Sequence, residues 1–449
     1  MKMKLSRYTQ TVEYEEKTII FNLLNDKRAI CTDASDLAMI DRLSRGDFIE
    51  QAKLSEGVQT FCVDENIDER KVCLGLLQSA YWNRQQLSFI VLPTMDCMFR
   101  CKYCYEDKDH KKIDEDFMDD FLEAIKTYHA KDRLKNLSIE WYGGEPLMVY
   151  EEIVNFTKSL NHFCDTENIE HTYSMTTNGF LLSFDRAKTL IDLGIRKFQI
   201  TVDGVKETHD KLRPHKNGEG TWDTIIKNLL ALKNSDLDFH VMIRVNYDVE
   251  VVERISEFHE FVKDNFDDRF TVFHHVISKW GGANDEEMDV IDPSTSQYVD
   301  TLLVEEAVNK NLKPDMNFYF SKFGGRVCYA NRPYFYILSL DRKLRKCTFT
   351  DEKYDALNVV GHLLAGKFEI DEKKLLNFIM PDYEKMKEKG CYDCQILPIC
   401  HGLSCALRRA ENQSIDCVEE KINVKENIVQ EYKYYLSLRN KNKKVKSNE

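Results

Sequence analysis

Cys97, Cys101 and Cys104 share one short loop in Cys-x3-Cys-x2-Cys spacing, directly after the apolar run that ends Val91-Leu92. Thiolates are the usual ligands of iron–sulfur clusters, so such a loop can hold three irons of a [4Fe–4S] cluster. Three ligands for four irons leave one iron open, and an open iron can chelate a small molecule. Zinc is the weaker reading, because a structural zinc site takes four ligands.

The chain has fourteen cysteines in 449 residues. Seven more of them gather toward the C-terminus, at Cys328, Cys347, Cys391, Cys394, Cys400, Cys405 and Cys417. Cys31, Cys62, Cys73 and Cys164 are scattered and read as small buried hydrophobes. Met1 to Arg7 runs into polar sequence without a secretory signal, so the expected location is the cytoplasm. Thiols are held reduced there, and clustered cysteines then point to metal rather than to disulfides. No apolar run approaches the roughly 18–20 residues of a membrane span. Hydrophobic residues at 43% and charged residues at 31% describe an ordinary globular protein. A net charge of −13 argues against a nucleic-acid partner, which would need a basic face. The basic stretch from Arg439 to Lys446 reads as a solvated tail.

The elements that must position these cysteines fall into three expected domains, at residues 1–85, 86–277 and 278–449. The first opens with Thr18-Ile19-Ile20-Phe21-Asn22-Leu23-Leu24, a polar turn at Asn25-Asp26-Lys27 and a return strand at Ala29-Ile30-Cys31, followed by short helices. In the second, apolar runs of strand length alternate with amphipathic stretches. The strands are expected at Leu87–Leu92, Leu137–Trp141, His171–Met175, Lys197–Val202, His240–Val245 and Phe270–His274. The helices are expected at Phe117–Tyr128, Glu152–Phe163, Phe184–Leu193, Thr224–Leu232 and Val252–Val262. Strands alternating with helices imply parallel strands joined by right-handed crossovers, here an α/β partial (β/α)6 barrel. Its polar motifs follow the strands, where such folds build their sites. Past about residue 278 the rhythm stops, Gly281-Gly282 and Gly324-Gly325 interrupt it, and a helix is expected at Val424–Leu438.

With the cysteine loop after the first barrel strand, Gly143-Gly144-Glu145-Pro146 after the second, Thr176-Thr177-Asn178-Gly179 after the third and Gln199-Ile200-Thr201-Val202-Asp203-Gly204 after the fourth, the chain resembles the radical S-adenosylmethionine (SAM) superfamily over roughly residues 86–275. His209-Asp210, Arg213 and Ile243-Arg244-Val245-Asn246 continue the likeness to its peptide-modifying members. The resemblance implies a TIM-like partial barrel. It further implies that the open iron binds the amine and carboxylate of SAM, and that reductive cleavage yields a 5′-deoxyadenosyl radical that takes hydrogen from the substrate. By the same resemblance Tyr103 would lie against adenine, and Gly144 and Glu145 would contact the methionyl amine. Thr176, Asn178 and Asp203 would supply ribose or methionyl contacts. Either Arg213 or Arg244 would hold the carboxylate through a bidentate fork.

Cys391-x2-Cys394-x5-Cys400-x4-Cys405, with Cys417 after it and Cys328 and Cys347 before it, resembles the seven-cysteine SPASM extension of that superfamily. The resemblance implies two auxiliary [4Fe–4S] clusters, one on Cys391, Cys394, Cys400 and Cys417, the other on Cys328, Cys347 and Cys405. The chain departs from the pattern in a longer Cys328–Cys347 interval, in Arg342 where glycine is common, and in one extra residue between Cys400 and Cys405.

Most SPASM members modify peptides or proteins, and maturases of ribosomal peptides often begin with a small winged-helix module that takes up a leader as an added strand. The expected function is therefore SAM-dependent modification of a ribosomally made precursor peptide, with a thioether or carbon–carbon crosslink as product. The electron would come from a reductant such as flavodoxin or ferredoxin. Alternatives are a sulfatase-type formylglycine maturase, another radical SAM oxidoreductase, and a non-catalytic metal-stabilised binding or electron-transfer protein. The sulfatase branch typically carries an aspartate where this chain has Thr348.

Overall fold

The structure is a computed structural model that describes residues 1–106, 113, 115–279, 284–314, 323–325, 327–350, 352–403, 405–412, 414, 415, 417 and 424–436. The expected Gly281-Gly282 break, the basic tail and the last two residues of the expected C-terminal helix lie outside these. The chain forms two compact units. One comprises Met1–Trp82, Met316–Asn331 and Met380–Glu449, and the other Asn83–Asp315 and Arg332–Ile379.

In the first unit, β1 (Lys2–Leu5) pairs antiparallel with β5 (Ile49–Glu50) and β6 (Cys62–Asp64), while β2 (Thr9–Tyr14), β3 (Lys17–Asn22) and β4 (Arg28–Cys31) form a second antiparallel sheet. Helices α1 (Ala34–Ser44), α2 (Glu56–Gln59) and α3 (Glu69–Tyr81) complete the N-terminal part. Successive side chains of a strand point to opposite faces, and β3 uses both. Ile19 and Phe21 join a core with Tyr8, Met386, Leu397, Ile428 and Tyr432, whereas Ile20 joins Met3, Ile40, Leu43 and Phe61. The N-terminal strands and the cysteine-rich C-terminal segment therefore share one core. The sequence reading omitted β2 because Thr9-Gln10-Thr11-Val12-Glu13-Tyr14 has no apolar run to mark it. Residues 424–436 are helical, within the expected helix.

The second unit is built on a ten-stranded sheet. Its strands β7 (Gln86–Leu92), β8 (Asn136–Trp141), β9 (Glu170–Thr177), β10 (Ile195–Thr201), β11 (His240–Tyr247) and β12 (Phe270–Val276) are parallel and consecutive strands are neighbours. That is the order of an open (β/α)6 barrel. The crossovers are α4 (Glu115–Asp132), α5 (Tyr150–Glu167), α6 (Phe184–Asp192), the pair α7 (Lys206–Leu212) and α8 (Trp222–Lys233), and the pair α9 (Val249–Glu253) and α10 (Ile255–Asn265). The helix expected at Val252–Val262 is thus two helices that meet at Arg254, which leaves helical geometry at φ −109° and ψ 9° and pairs with Glu207 and Glu257.

One face of these strands is apolar and dry. Phe89, Ile139, Trp141, Met175, Ile200 and Ile243 are all buried, with Phe89, Phe121 and Phe156 in ring contact beneath α4 and α5. The other face carries Ser88, Glu140, Ser174, Thr176, Gln199, Met242, Arg244 and His275, all half-buried. Such a face is a lumen with room for polar work rather than a packed barrel core.

The sheet continues past β7 through β13 (Phe335–Ser339), parallel to β7, and then β14 (Lys343–Arg345), β15 (Val359–Leu364) and β16 (Lys367–Ile370), all antiparallel. The segment after residue 277 is accordingly shared between the two units. Arg342, in the β13–β14 turn where the family favours glycine, adopts φ +59°, the left-handed conformation that glycine reaches most easily. Its guanidinium pairs with Asp120 and covers the Phe117 ring, contacts a glycine could not make. No helix among the described residues is long and apolar enough to cross a membrane.

His259 on α10 and His274 on β12 share a hydrogen bond of 2.8 Å between their Nε2 atoms, and His259 Nδ1 meets the Glu306 carboxylate on α11 (Pro293–Asn309). Burial holds both imidazoles well below their ordinary value, so both stay neutral in the fold. The unfolded chain protonates them near pH ~6.5. Stability is therefore complete above that pH and falls as the pH drops below it, because the unfolded state binds the extra protons. Urea unfolding at pH 7.5 and 5.5 should show a loss of about 1.4 kcal/mol per pH unit below ~6.5 for each such histidine; no loss would contradict the buried pair.

Candidate active site

The cysteine loop leaves β7 at Pro93 and is clamped from two sides by backbone hydrogen bonds. Gly144 N–H donates to Thr94 O at 3.0 Å and Glu145 N–H to Asp96 O at 2.9 Å. From the other side, Arg100 N–H donates to Pro214 O at 2.8 Å and Lys102 N–H to Leu212 O at 2.9 Å. Gly143 has φ +111°, and a Cβ there would lie 2.6 Å from Thr94 O, while one on Gly144 would overlap the carbonyl oxygens of Asp96 and Met95. The paired glycines let the β8 loop lie flat on the cysteine loop. Within the loop, Asp96 Oδ1 accepts from Cys97 N–H at 2.8 Å, and Phe99 N–H donates to Cys97 Sγ at 3.4 Å. Burial raises the Cys101 thiol to about 12, Arg213 opposes the shift, and Cys104 and Cys97 add to it. The three sulfurs are electrostatic neighbours.

Glu145 is fully buried. Its Oε1 accepts from Thr177 Oγ1 at 2.6 Å and Leu147 N–H at 3.0 Å, and its Oε2 from Asn178 N–H at 2.7 Å. A carboxylate has about four acceptor positions, so about one remains, on Oε2. Burial raises this carboxyl above its ordinary value, opposed by those donors. Asn178 Nδ2 lies 3.3 Å from Met98 Sδ and 3.9 Å from Cys97 Sγ, so the β9 end reaches the first cysteine.

Tyr103, Asp203 and Arg213 form one buried cluster. The Tyr103 hydroxyl donates to Asp203 Oδ2 and accepts from Arg213 at 2.6 Å and from Asn246 Nδ2 at 2.9 Å. Asn246 N–H also donates to Asp203 Oδ1 at 2.7 Å. Arg213 is 6% exposed, and its guanidinium lies 5.6 Å above the Phe99 ring. Burial opposes the Arg213 charge, yet Cys101, Tyr103 and Asp203 together keep it protonated well above its usual range. Burial raises Asp203, with Arg213, the Tyr103 hydroxyl and the Asn246 amide opposing. Arg213 Nε is buried and lacks a hydrogen-bond partner among the described residues.

Thr176 and Arg244, also expected at the site, face the lumen. Thr176 Oγ1 donates to Glu140 Oε1 at 2.9 Å, and Arg244 Nε donates to Asn246 Oδ1 at 2.8 Å. Glu140 is a carboxyl raised by burial, opposed by the Thr176 hydroxyl. It went unnoticed in the sequence, although a charge in the alternating run Leu137-Ser138-Ile139-Glu140-Trp141 signals a lumen-facing position. The Tyr105 hydroxyl stands 3.4 Å from that of Tyr142, and the Tyr105 ring meets Phe349 at 5.5 Å. Cys347, two residues before Phe349, is fixed by Asn358. Cys347 N–H donates to Asn358 Oδ1 at 2.8 Å, and Asn358 Nδ2 donates back to Cys347 O and Phe349 O at 3.0 Å each.

The other six C-terminal cysteines belong to the first unit. Cys391 and Cys394 bracket a 3₁₀ turn, Cys391–Asp393, and pack against the shared core, while Cys400 closes the short helix Leu397–Cys400. Arg409, buried on the helix Ala406–Asn412, feels both Cys405 and Cys328, and Cys417 is exposed. Cys31, Cys73 and Cys164 are buried as expected, and Cys62 is half-buried.

No three His, Cys, Asp or Glu side chains among the described residues converge on a point that would hold a single metal ion. A four-iron cluster binds each thiolate through a different iron and so asks for wider spacing. The donor set at Cys97, Cys101 and Cys104, the amide aimed at Cys97 Sγ and the orphaned donor on Arg213 fit such a cluster with an anionic ligand beside it.

A profile of the radical SAM superfamily matches residues 91–262. The cysteine-type anaerobic sulfatase-maturating enzyme of Clostridium novyi (strain NT) is 30% identical over 198 residues, which are 42% of this chain and 51% of that relative. The chain spans about half the length, or less, of the curated relatives it matches. Among solved structures, native anSMEcpe with bound AdoMet and Cp18Cys peptide matches with a TM-score of 0.54 at 15% identity, covering 81% of this chain and 99% of that one. Streptococcus suis SuiB bound to precursor peptide SuiA matches with a TM-score of 0.50 at 17% identity, covering 92% and 98%. At these identities the structural likeness is one of fold. The profile match runs from β7 to α10 and takes in the cysteine loop, the paired glycines and the Tyr103–Asp203–Arg213 cluster, so residues 91–262 are a radical SAM domain.

Proposed function

We propose that this chain is a radical SAM enzyme that modifies a peptide. The observation that carries the reading is Arg213, a buried guanidinium with an unfilled donor beside a three-cysteine loop. When bound on Cys97, Cys101 and Cys104, a [4Fe–4S] cluster supplies the electron for SAM cleavage and hence the 5′-deoxyadenosyl radical. Arg213 holds the SAM carboxylate in this reading, which the buried donor on its Nε supports over Arg244, whose Nε is turned to Asn246. The open acceptor on Glu145 takes the methionyl ammonium, and Asn178 and Asp203 complete the polar contacts. Tyr103, pinned through its hydroxyl by three partners, offers adenine a fixed ring. Thr176, Glu140 and Arg244 face the lumen, where substrate enters.

A peptide substrate is supported by the sulfatase-maturating relative and by the likeness to SuiB, crystallised with its precursor peptide. We read the product as a thioether or carbon–carbon crosslink, and residues 1–85 as the leader-binding module, with its antiparallel sheet as the receiving edge. The C-terminal cysteines would carry two auxiliary clusters, and flavodoxin or ferredoxin would deliver the electron. Formylglycine formation on a sulfatase is the second reading, favoured by the same relative. Thr348 weighs against it, because a hydroxyl is a far weaker base than the aspartate typical of that branch.

Three measurements test this. Anaerobically reconstituted, reduced protein should release 5′-deoxyadenosine from SAM, and Cys101→Ala should abolish the release; equal release by both would sink the proposal. Gly144→Ala, which forces a methyl group into the Asp96 and Met95 carbonyls, should cost about 1–3 kcal/mol of stability and lower iron per chain. Replacing Cys328, Cys347 or Cys405 by Ala should leave SAM cleavage intact while product from a candidate precursor peptide is lost. Formylglycine in a sulfatase peptide, with no change in the precursor peptide, would select the second reading.

A further inference from the structure

His209 and Asp210 are both built into the frame of the site. Asp203 N–H donates to His209 Nδ1 at 3.1 Å, so that nitrogen is an acceptor and the proton of the neutral ring sits on Nε2. His209 Nε2 then donates to Thr221 Oγ1 at 3.0 Å, and the Thr221 hydroxyl donates to Arg213 O at 2.8 Å. Arg213 N–H closes the loop by donating to His209 O at 2.8 Å. Asp210 Oδ1 accepts from Thr221 N–H at 2.7 Å and Trp222 N–H at 2.9 Å, which fixes Thr221 at the start of α8. Asp203, His209 and Thr221 are all fully buried.

We infer that His209 and Thr221 are positioning residues that set SAM affinity by tying the backbone amide of Asp203 to the closed hydrogen-bonded ring that joins His209, Thr221 and Arg213. This rests on the reading of Arg213 as the SAM carboxylate ligand. The ring has a direction fixed by its donors. The amide of Asp203 can only donate and the carbonyl of Arg213 can only accept, so the linker must accept at one end and donate at the other. A neutral imidazole in the Nε2–H form followed by a hydroxyl meets that demand. A side chain of similar shape without the hydroxyl does not, and it would leave His209 Nε2–H buried without an acceptor. Two site residues ten positions apart in sequence are thereby held as one unit, so disturbing any link moves both.

The test uses the full chain, reconstituted with iron and sulfide, and measures the dissociation constant for SAM by equilibrium dialysis alongside iron per chain. Thr221→Val, which keeps the shape and removes the hydroxyl, should weaken SAM binding about tenfold with iron unchanged. Thr221→Ser restores the hydroxyl and should return affinity to within about twofold of the parent. His209→Gln, whose amide can still reach Thr221, should bind SAM more tightly than His209→Ala. The double variant His209→Ala with Thr221→Val should be no weaker than the worse single one, because both cut the same ring. Equal binding by Thr221→Val and Thr221→Ser, or full additivity in the double variant, overturns the inference. Failure of the parent itself to bind SAM would instead remove the reading of Arg213 on which it rests.

Discussion

A guanidinium almost wholly out of water has to be matched by negative charge or strong acceptors, or the fold would lose several kcal/mol. Arg213 is such a group, and the centre of the barrel mouth is arranged around it. Asp203 comes from the end of β10, Tyr103 from the cysteine loop and Asn246 from the end of β11, and all three meet at one phenolic oxygen beside the guanidinium. Three loops distant in sequence are tied together at that oxygen, to which the cation donates. The tie is incomplete, since one donor of Arg213 has no acceptor among the described residues. An anionic ligand would complete it, and the same cation lies close enough to Cys101 to favour that sulfur as thiolate.

The cysteine loop is rigid for a different reason. Its shape is imposed by backbone contacts, with the Gly143-Gly144 loop on one side and the Leu212–His215 segment on the other. The backbone of the loop thus has a framework built from main-chain hydrogen bonds. A loop held by carbonyls and amides has little freedom to follow a ligand.

Much of this was legible in the sequence because a parallel strand covered by helices leaves a run of Val, Ile, Leu and Phe. The six barrel strands begin and end within two residues of where those runs stand. β2 lacks such a run and was missed. The continuation of the sheet through β13–β16 lies among the cysteines, whose spacing points to metal and gives no sign of strands. At the site, the motifs named the residues but not their partners. Gly-Gly-Glu reads as a ligand-contacting turn, yet its glycines meet the cysteine loop and its glutamate meets Thr177 and Asn178. Nothing in the spacing of His209, Arg213 and Thr221 reveals that they form a closed ring to which Asp203 is tied. That depends on α7 turning back toward β10 and on α8 starting at Thr221.

Arg342 shows how a family pattern can break without breaking the fold. The β13–β14 turn needs a left-handed residue, and glycine would supply it without strain. Arginine accepts an unfavourable φ and recovers energy through Asp120 and Phe117 on α4, which ties the added strands to the first crossover helix. Just downstream, Lys346 is fully buried and donates to Arg332 O at 2.6 Å, while Asn358 grips the backbone of Cys347 on both sides. A cysteine whose backbone is held this firmly, next to a turn paid for by an ion pair, is placed by the sheet rather than by its own loop. Cys347 is therefore anchored in the barrel unit, and Cys328 and Cys405 are anchored in the other.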